Sequence, residues 1–347
     1  MGIHIRFACA EDSERLILLT ALTPMDGAIR LRIDRGPDFF ALTNARGPSK
    51  VLIAVDDANE TIIGSFSFSN QTYHSFHRTY SVVYLADLKV HPDYSKTRAS
   101  YLLVRKMFAT LLSKGADLLY CTAVNDNFKV MPFFGGRAGI PSFMTLAIFK
   151  SYQILPRRSN SGLPQVVPFN TICDFYKETQ QELSFRHSPD ALNRCTHVAI
   201  WNAEGVTAAA SLFDPGALKQ HVALGIPVSL KIFLACLSLL KGILQLPVVP
   251  ETNKPLRILF VRNYAFRKNK EKDFLLLISQ VRAMAHQDGY HLVSICADTR
   301  SVETTGLLKR LSFITFVSKG FITSLHNNLA DLEKITAGPC LDDFSLT

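Results

Sequence analysis

The chain has 347 residues, a formal net charge of +9, 48% hydrophobic residues and 19% charged residues. Its length predicts two domains of about 150 to 200 residues each, and its composition excludes disordered and fibrous proteins. The positive charge suits nucleic acid, an anionic membrane surface or a phosphorylated cofactor. Because the basic residues are dispersed and not interleaved with aromatic residues, the pattern argues against a nucleic-acid partner.

The seven cysteines form no CxxC pair, and several lie in apolar runs such as LLYCTAV and VSICAD. This usage is typical of reduced core cysteines in a cytosolic protein. Charged residues interrupt the first segment, MGIHIRFACAEDSERL, which therefore lacks the pattern of a signal peptide. The sequence predicts a cytoplasmic location.

The first half of the chain alternates strand and helix patterns. A hairpin is indicated by two β-rich runs that flank a short polar turn, and a helix is indicated where an apolar stripe ends at a glycine. In chain order the predicted elements are IHIRF (strand), SERLILLTAL (helix), VLIAVDD and TIIGSFSFS (hairpin), TYSVVYLADLKV (strand), ASYLLVRKMFATLLSKG (helix) and LLYCTAVND (strand). This order predicts an α/β fold with a mixed sheet.

The second half repeats this order. HVAIWNAEGVTAAASLF again predicts a hairpin, and KDFLLLISQVRAMAHQDG again predicts a helix that ends at a glycine. Aligning the hairpins gives an offset of about 143 residues, whereas Gly115 and Gly289 differ by 174. An internal duplication with an insertion of about 30 residues explains both values. The predicted units are residues 1–155, a proline-rich linker at 156–170, residues 171–335 with a helical insertion near 217–250, and a tail at 336–347.

The insertion contains the apolar stretch 226–249, IPVSLKIFLACLSLLKGILQLPVV. Lys231 and Lys241 interrupt it, and its polar residues fall on one helical stripe, so the pattern predicts an amphipathic helix. Three placements stay open at this point. The helix packs on its own domain, lies against a membrane surface or an acyl chain, or spans a bilayer.

A strand, a polar loop and a helix meet within DLKVHPDYSKTRASYLLV, residues 87–104. The first amides of a helix have no intrahelical partner, and the helix dipole favours an anion there. A loop that directs such amides and cations toward one point is suited to bind phosphate. The candidate phosphate-binding residues are Ser95, Lys96, Thr97, Arg98, Ala99 and Ser100.

This segment resembles the acetyl-CoA motif of the GNAT superfamily of N-acetyltransferases, in which Val-x-Pro-x-Tyr precedes Arg/Gln-x-x-Gly-x-Gly/Ala. The resemblance covers roughly residues 3–155 and, more weakly, 196–320. It implies two tandem GNAT-like folds, as in bacterial proteins that carry two such folds in one chain. It also implies acetyl-CoA or a longer acyl-CoA as donor and an amine as acceptor. Ser95, Arg98 and Ser100 depart from the motif, because they replace its Arg/Gln and its two small residues.

The resemblance also implies roles for particular residues. Backbone amides near Leu88, Lys89 and Val90 hold the thioester carbonyl. Asn125 is the candidate for a hydrogen bond to the pantetheine arm, and an asparagine that only forms a turn is the equally ordinary alternative. Asp87 is the candidate base, although a carboxylate that is solvated or paired with a lysine is the equally ordinary alternative.

The tyrosine that protonates the thiolate in this family is missing, because its position falls on Pro132 or Phe134. Tyr84, Tyr94 and Tyr120 are the candidate substitutes, and Tyr84 is the one we assign.

Two further patterns in the sequence bear on function, a pair of histidines and a charged loop in the second half. His74 and His77 form an HxxH without a third ligand, which predicts a loop beside the acceptor pocket and no metal site. The charged loop at 267–272 matches the phosphate loop in position but contains no glycine, so we expect the second half to act as a scaffold or to form part of the acceptor site. Two rival functions stay open at the sequence level. They are a non-catalytic acyl-CoA-binding protein and a long-chain acyltransferase that contacts a membrane peripherally through 226–249.

Overall fold

A computed structural model describes residues 2–24, 30–76, 78–112, 116–124, 131–136, 139–158, 162–189, 195–225, 251, 253–326 and 328–347. These residues contain 17 strands and eight α-helices. The helices are α1 (Ser13–Ala21), α2 (Phe39–Ala45), α3 (Ala99–Leu111), α4 (Met131–Phe134), α5 (Phe169–Thr179), α6 (Glu271–Gln287), α7 (Val302–Leu311) and α8 (Leu329–Thr336).

The strands alternate with these helices along the chain. They are β1 (Ile3–Phe7), β2 (Arg30–Asp34), β3 (Ser49–Asp56), β4 (Ile62–Ser75), β5 (Arg78–Val90), β6 (Leu118–Val124), β7 (Met144–Ile154), β8 (Gln165–Val166), β9 (Phe185–His187), β10 (Cys195–Asn202), β11 (Gly205–Phe213), β12 (Gln220–Gly225), β13 (Pro255–Leu256), β14 (Ile258–Phe266), β15 (Leu292–Asp298), β16 (Ile314–Ser324) and β17 (Cys340–Leu341).

Fourteen of the strands form one mixed sheet. Its main path runs β1-β3-β4-β5-β6-β16-β7-β15-β14-β11-β10-β8. In the first half, β3, β4 and β5 are antiparallel and β5 is parallel to β6. In the second half, β10, β11 and β14 are antiparallel and β14 is parallel to β15. Both predicted hairpins and the two long crossover helices are therefore confirmed.

The two halves exchange their last strands at the centre of this sheet. Strand β16 of the second half pairs with β6 along Leu118–Val124, and its other edge pairs with β7. Strand β7 of the first half in turn pairs with β15. The hydrogen-bond ladder consequently runs without interruption from one half into the other.

Helix α3 covers one face of the first half. Its buried side chains, Leu103, Val104, Met107 and Leu111, follow helical periodicity and pack on apolar residues of β3 to β6. On the opposite face, Tyr73, Tyr84 and Tyr120 join Phe149 and Phe185 in a core shared by both halves. The sheet is thus buried on both faces where β5 lies beside β6, which is where the predicted site residues begin.

Several elements differ from the sequence prediction. Residues 220–225, assigned to the helical insertion, form strand β12, which pairs with β2 in a separate three-stranded sheet. Part of the predicted linker forms β8 and the start of α5. The predicted tail is not a free tail, because β17 pairs in parallel with β9 and Leu346 is buried.

The stretch 226–249 and Cys236 lie outside the described residues. Within the part of the chain that is described, no helix is both long and apolar enough to cross a membrane. Cys121, Cys296 and Cys340 are buried thiols, whereas Cys9 is exposed instead of buried in a core.

Gly320 provides a test of the packing at the exchanged strands. A Cβ atom there would lie 2.9 Å from Cε2 of Phe149 and 3.2 Å from Cε2 of Tyr120. We expect Gly320→Ala to lower the free energy of unfolding by about 1 to 3 kcal/mol through overpacking, as measured by denaturant titration.

Gly306→Ala is the matched control, because no neighbouring atom lies within 4 Å of the added carbon in the middle of α7. It is expected to raise the free energy of unfolding by about 1 kcal/mol through helix propensity. A Gly320→Ala protein as stable as the parent would contradict the packing described for this joint.

Candidate active site

A β-bulge interrupts the pairing of β4 with β5. Ser65 pairs with Lys89, but Ser67 pairs with Ala86, so β5 carries one residue more than β4 in between. Asp87 takes up the difference with φ of +55°. Aspartate tolerates this left-handed conformation better than most non-glycine residues, but it still costs free energy and has to be held by its surroundings.

The side chain of Asp87 is held by two buried arginines. Its Oδ2 atom lies 2.9 Å from Nη1 of Arg35 and 2.9 Å from Nη1 of Arg46, and it accepts a hydrogen bond of 2.9 Å from Oγ of Ser67. Burial by itself disfavours the charged carboxylate, but Arg35 and then Arg46 outweigh it and hold the pKa of Asp87 well below its usual range. Asp87 is therefore a structural anion and a weak base at neutral pH.

Strands β5 and β6 diverge next to this bulge. Their parallel ladder joins Val82–Tyr84 to Leu118–Tyr120 and goes no further among the described residues. Strand β5 nevertheless continues to Val90 and β6 to Val124. The backbone of Leu88, Lys89 and Val90 thus borders a gap in the sheet that an extended chain of amide groups fits.

The loop after β5 turns into α3 without a left-handed residue. It starts with a 3-10 turn at Pro92–Tyr94 and continues with a bond from Thr97 N to Tyr94 O, and no φ between 91 and 100 is positive. A glycine is needed in such a loop only where φ is positive. Because no residue of this loop has a positive φ, Arg98 fits at the position where the GNAT motif has a glycine.

The N-terminus of α3 offers free donors. Its first backbone bond runs from Leu102 N to Arg98 O, which leaves the amides of Ser100 and Tyr101 without an intrahelical carbonyl. The amide of Ala99 already bonds Oγ1 of Thr97 at 3.3 Å. Ser95, Lys96 and Arg98 are exposed beside these donors.

The three candidate tyrosines have different surroundings. Tyr94 packs against the same apolar cluster as Leu88 and Val90, and its hydroxyl donates to Oδ2 of Asp56 at 3.2 Å. Tyr84 lies where β5 and β6 diverge; its hydroxyl is 3.0 Å from Oγ1 of Thr122, and burial raises its pKa. Tyr120 donates to Oδ2 of Asp342 at 2.6 Å.

The C-terminal segment 340–347 brings charged groups that the sequence analysis missed. Asp342 accepts hydrogen bonds from the hydroxyls of both Tyr73 and Tyr120, at 2.7 and 2.6 Å, while burial raises its pKa. Asp343 pairs with Nη2 of Arg262 at 2.7 Å.

The same segment also reaches the arginines around the bulge. Nε of Arg46 donates to the carbonyl oxygen of Leu346 at 2.6 Å, and Nζ of Lys219 donates to a main-chain oxygen of Thr347. Lys219 belongs to the second half. The contacts around the bulge therefore link three parts of the chain: the region of α2, the segment before β12 and the C-terminal segment. No local motif in the sequence marks these residues.

The second half repeats the bulge but closes the gap. The β11–β14 register shifts between Ala209 and Ser211, and Asn263 there has φ of +46°. The next residue, Tyr264, fills the divergence, because its hydroxyl donates to the carbonyl oxygen of Cys296 on β15 at 2.8 Å. Glu271 and Asp273 lie in the first turn of α6, where they disfavour a phosphate.

The remaining predicted residue that the structure describes, His74, lies near the far end of β4 from the bulge. His74 contacts Thr79 and Ser188 through its two ring nitrogens, at 3.1 and 3.4 Å. His77 and Asn125 lie outside the described residues. Within the described ranges there is also no group of three His, Cys, Asp or Glu side chains arranged to hold a metal ion.

Solved structures share this architecture at low sequence identity. N-myristoyltransferase from Saccharomyces cerevisiae with bound myristoyl-CoA matches with a TM-score of 0.62 and 9% identity, over 92% of this chain and 82% of that chain. A probable N-acyltransferase from Enterococcus faecalis V583 matches with a TM-score of 0.52 and 10% identity, over 92% and 72% of the two chains.

A GCN5-related N-acetyltransferase from Anabaena variabilis ATCC 29413 also matches, with a TM-score of 0.52 and 9% identity, over 92% and 72%. No protein-family model and no curated protein matches the sequence. The predicted fold, two tandem GNAT-like acyltransferase folds in one chain, is confirmed by these structures.

The ion pairs of Asp87 predict a large stability effect. Asp87→Ala would leave Arg35 and Arg46 buried without their shared carboxylate, so we expect the free energy of unfolding to fall by about 3 to 5 kcal/mol in denaturant titration. The matched control is Asp93→Ala, since Asp93 is 83% exposed, and it should change the value by less than about 0.5 kcal/mol.

The pH dependence follows from the lowered pKa of Asp87. The folded state binds this proton less readily than the unfolded state, whose pKa is about 3.9. The carboxylate therefore makes its full contribution to the free energy of unfolding above that pH, and this contribution is lost as the pH falls below it. The test is the difference in the free energy of unfolding between the parent and Asp87→Ala, measured by denaturant titration at several pH values. If this difference stays constant down to about pH 2, the assigned ion pairs are refuted.

Proposed function

We propose that this chain is an acyl-CoA-dependent N-acyltransferase whose first half binds the donor and passes its acyl group to an amine. The observation that carries the proposal is the divergence of β5 from β6 beyond Tyr84, which leads along Leu88–Val90 to the loop before α3. The second half offers no equal site, because Tyr264 bridges the corresponding gap. One donor site per chain follows from this difference.

The proposed donor site uses backbone groups for the most part. The amides of the pantetheine arm pair with the free edge of β5, and a backbone amide among Leu88, Lys89 and Val90 donates to the thioester carbonyl as negative charge develops on it. Asn125, just past β6, is the candidate for a further bond to this arm.

The diphosphate of the donor lies at the start of α3 in this proposal. The amides of Ser100 and Tyr101 and the helix dipole favour an anion there, and exposed Lys96 and Arg98 add charge-assisted hydrogen bonds. The hydroxyls of Ser95 and Thr97 and the Ala99 amide complete the predicted set. Because the amides do the binding, replacing the family's glycines does not remove the site.

Two side chains have proposed roles in the transfer. Tyr84 is the candidate proton donor to the leaving thiolate, because it lies where β5 and β6 diverge and its hydroxyl is 3.0 Å from Oγ1 of Thr122. Asp87 as the base stays a prediction from the sequence; its pairing with two arginines favours a positioning role instead. In that role it holds the bulge and hence the amides after it.

A long acyl chain is the donor that we propose. The yeast neighbour with bound myristoyl-CoA supports it, and the gap is bordered by an apolar cluster that includes Leu88 and Val90. In this cluster Phe134 stacks on Phe321 with ring centroids 4.2 Å apart. A cytoplasmic location fits the free cysteines.

Titration calorimetry with myristoyl-CoA and acetyl-CoA tests donor binding. We expect heat with the long-chain ester, and about 10- to 100-fold weaker binding for the double variant Lys96→Glu, Arg98→Glu, because two charge-assisted contacts become repulsive. Lys268→Glu with Lys272→Glu, in the matching loop of the second half, is the control and should bind as the parent does.

Release of free thiol with a panel of amines then distinguishes an enzyme from a binding protein. The parent is expected to release coenzyme A only when an amine is present. Absence of heat with both esters would refute the donor site, and heat without thiol release would leave an acyl-CoA-binding protein in place of the proposed enzyme.

A further inference from the structure

Two lysines lie on central strands of the large sheet. Lys319 belongs to β16 and Lys150 to the neighbouring β7, and both are half-buried. Among the residues that the structure describes, neither lysine forms an ion pair with a carboxylate. Lysine is rare on the inner strands of a sheet, because its charge loses part of its hydration there without gaining a partner. Their position therefore calls for a physical reason.

The pairing of β16 with β6 shows which way Lys319 points. Phe321 pairs with Cys121, and both side chains belong to the apolar cluster on which α3 packs. Lys319 pairs with Ala123, two residues further along each strand. Because residues two apart on a strand point to the same face, the side chain of Lys319 lies on the face that carries α3.

Lys150 points to the same face. On the other edge of β16, Lys319 pairs with Ile148 and Val317 pairs with Lys150. The two lysines are therefore diagonal neighbours, a relation that places residues about 7 to 8 Å apart and within reach of each other's long side chains. Ile148 beside them is 40% exposed, so this part of the sheet face is open to solvent. Two ammonium groups that converge in this way are suited to bind one phosphate.

The pair of lysines lies next to the gap of the proposed donor site. Strand β6 borders the gap on one edge, and β16 pairs with its other edge at Ala123 and Lys319. Adjacent strands are about 4.8 Å apart, so Lys319 lies one strand and Lys150 two strands beyond β6. The start of α3 follows the opposite border, β5. A ligand in the gap thus has the start of α3 on one side and the two lysines on the other.

The proposed donor carries one phosphate that the start of α3 does not account for. Coenzyme A ends in an ADP part with a phosphomonoester on the 3′ oxygen of its ribose, and this ribose follows the diphosphate directly. A phosphomonoester carries about 1.5 to 2 negative charges at pH 7 and three acceptor oxygens. Two lysines without carboxylate partners match it in charge and in hydrogen-bond donors.

We propose that Lys319 and Lys150 bind the 3′-phosphate of the donor. This inference rests on the proposed function. The ribose turns from the start of α3 toward the lysines on the same face of the sheet, and its phosphate accepts charge-assisted hydrogen bonds from both ammonium groups. Because β16 belongs to the second half and β7 to the first, the strand exchange assembles this subsite from both halves.

A comparison of myristoyl-CoA with its 3′-dephospho form tests this subsite. In titration calorimetry we expect the parent to bind the phosphorylated ester about 10- to 100-fold more tightly, because the dephospho form lacks two charge-assisted hydrogen bonds. The double variant Lys150→Gln, Lys319→Gln should bind both esters equally, with the affinity that the parent has for the dephospho form.

A matched variant controls for the loss of net charge. Lys268→Gln with Lys272→Gln also removes two positive charges, from exposed lysines in the loop before α6. This variant should keep the parent's preference for the phosphorylated ester. If it loses the preference as the first double variant does, the effect comes from net charge and the inference is wrong.

A measurement on the unaltered protein covers the case in which the lysine variant does not fold. Phosphorus-31 nuclear magnetic resonance separates the phosphomonoester of bound myristoyl-CoA from its diphosphate. The second pKa of a phosphomonoester in water is about 6. Two adjacent ammonium groups favour the dianion, so we expect the titration midpoint in the complex to be about one pH unit lower. A midpoint equal to that of the free ester would overturn the inference.

Two kinds of failure are distinguishable. If the parent binds both esters equally, or if the variant Lys150→Gln, Lys319→Gln keeps the preference, the lysines do not bind the 3′-phosphate, while the proposed donor site is unaffected. If neither ester gives heat with the parent, the proposed function is refuted and the inference falls with it.

Discussion

The pairing of one carboxylate with two buried arginines is the constraint on which the candidate site depends. Without Arg35 and Arg46, Asp87 would be a buried anion in a left-handed conformation, and both features are unfavourable by themselves. Together the three residues fix a bulge, and the bulge decides which amides of β5 turn toward the gap. Arg46 also anchors the C-terminal segment through the carbonyl oxygen of Leu346, so the bulge and the position of this segment depend on the same charged residue.

The two halves share the bulge but differ in the gap beside it. Both keep an Asx residue with positive φ in the bulge, Asp87 in one and Asn263 in the other. In the second half, Tyr264 fills the space with its own ring and satisfies a carbonyl of β15. A buried hydrogen bond thus takes the place that the gap has in the first half.

Much of this fold is visible in the sequence because it is encoded locally. The hairpins, the two crossover helices and the loop before α3 each occupy one short stretch, whose periodicity and turn residues indicate its structure. The central strand exchange is not encoded in that way, since β7 and β16 resemble any other buried strand and their partners depend on the whole sheet. The same limit applies to the site. Arg35, Arg46 and Lys219 are single charges in unremarkable surroundings, and only the folded chain brings them to Asp87.

The strand exchange has a consequence for how the chain is made. Strand β6 ends at Val124 and its neighbour β16 begins at Ile314, so the ribosome adds about 190 residues before the edge of β6 can be covered. Until then the nascent first half presents an unpaired strand edge and the apolar face of the shared core, which are the features that promote wrong association. The half with the proposed donor site is encoded first but is completed last, and a fragment that stops before β16 would contain every donor contact predicted from the sequence without a closed sheet to hold them.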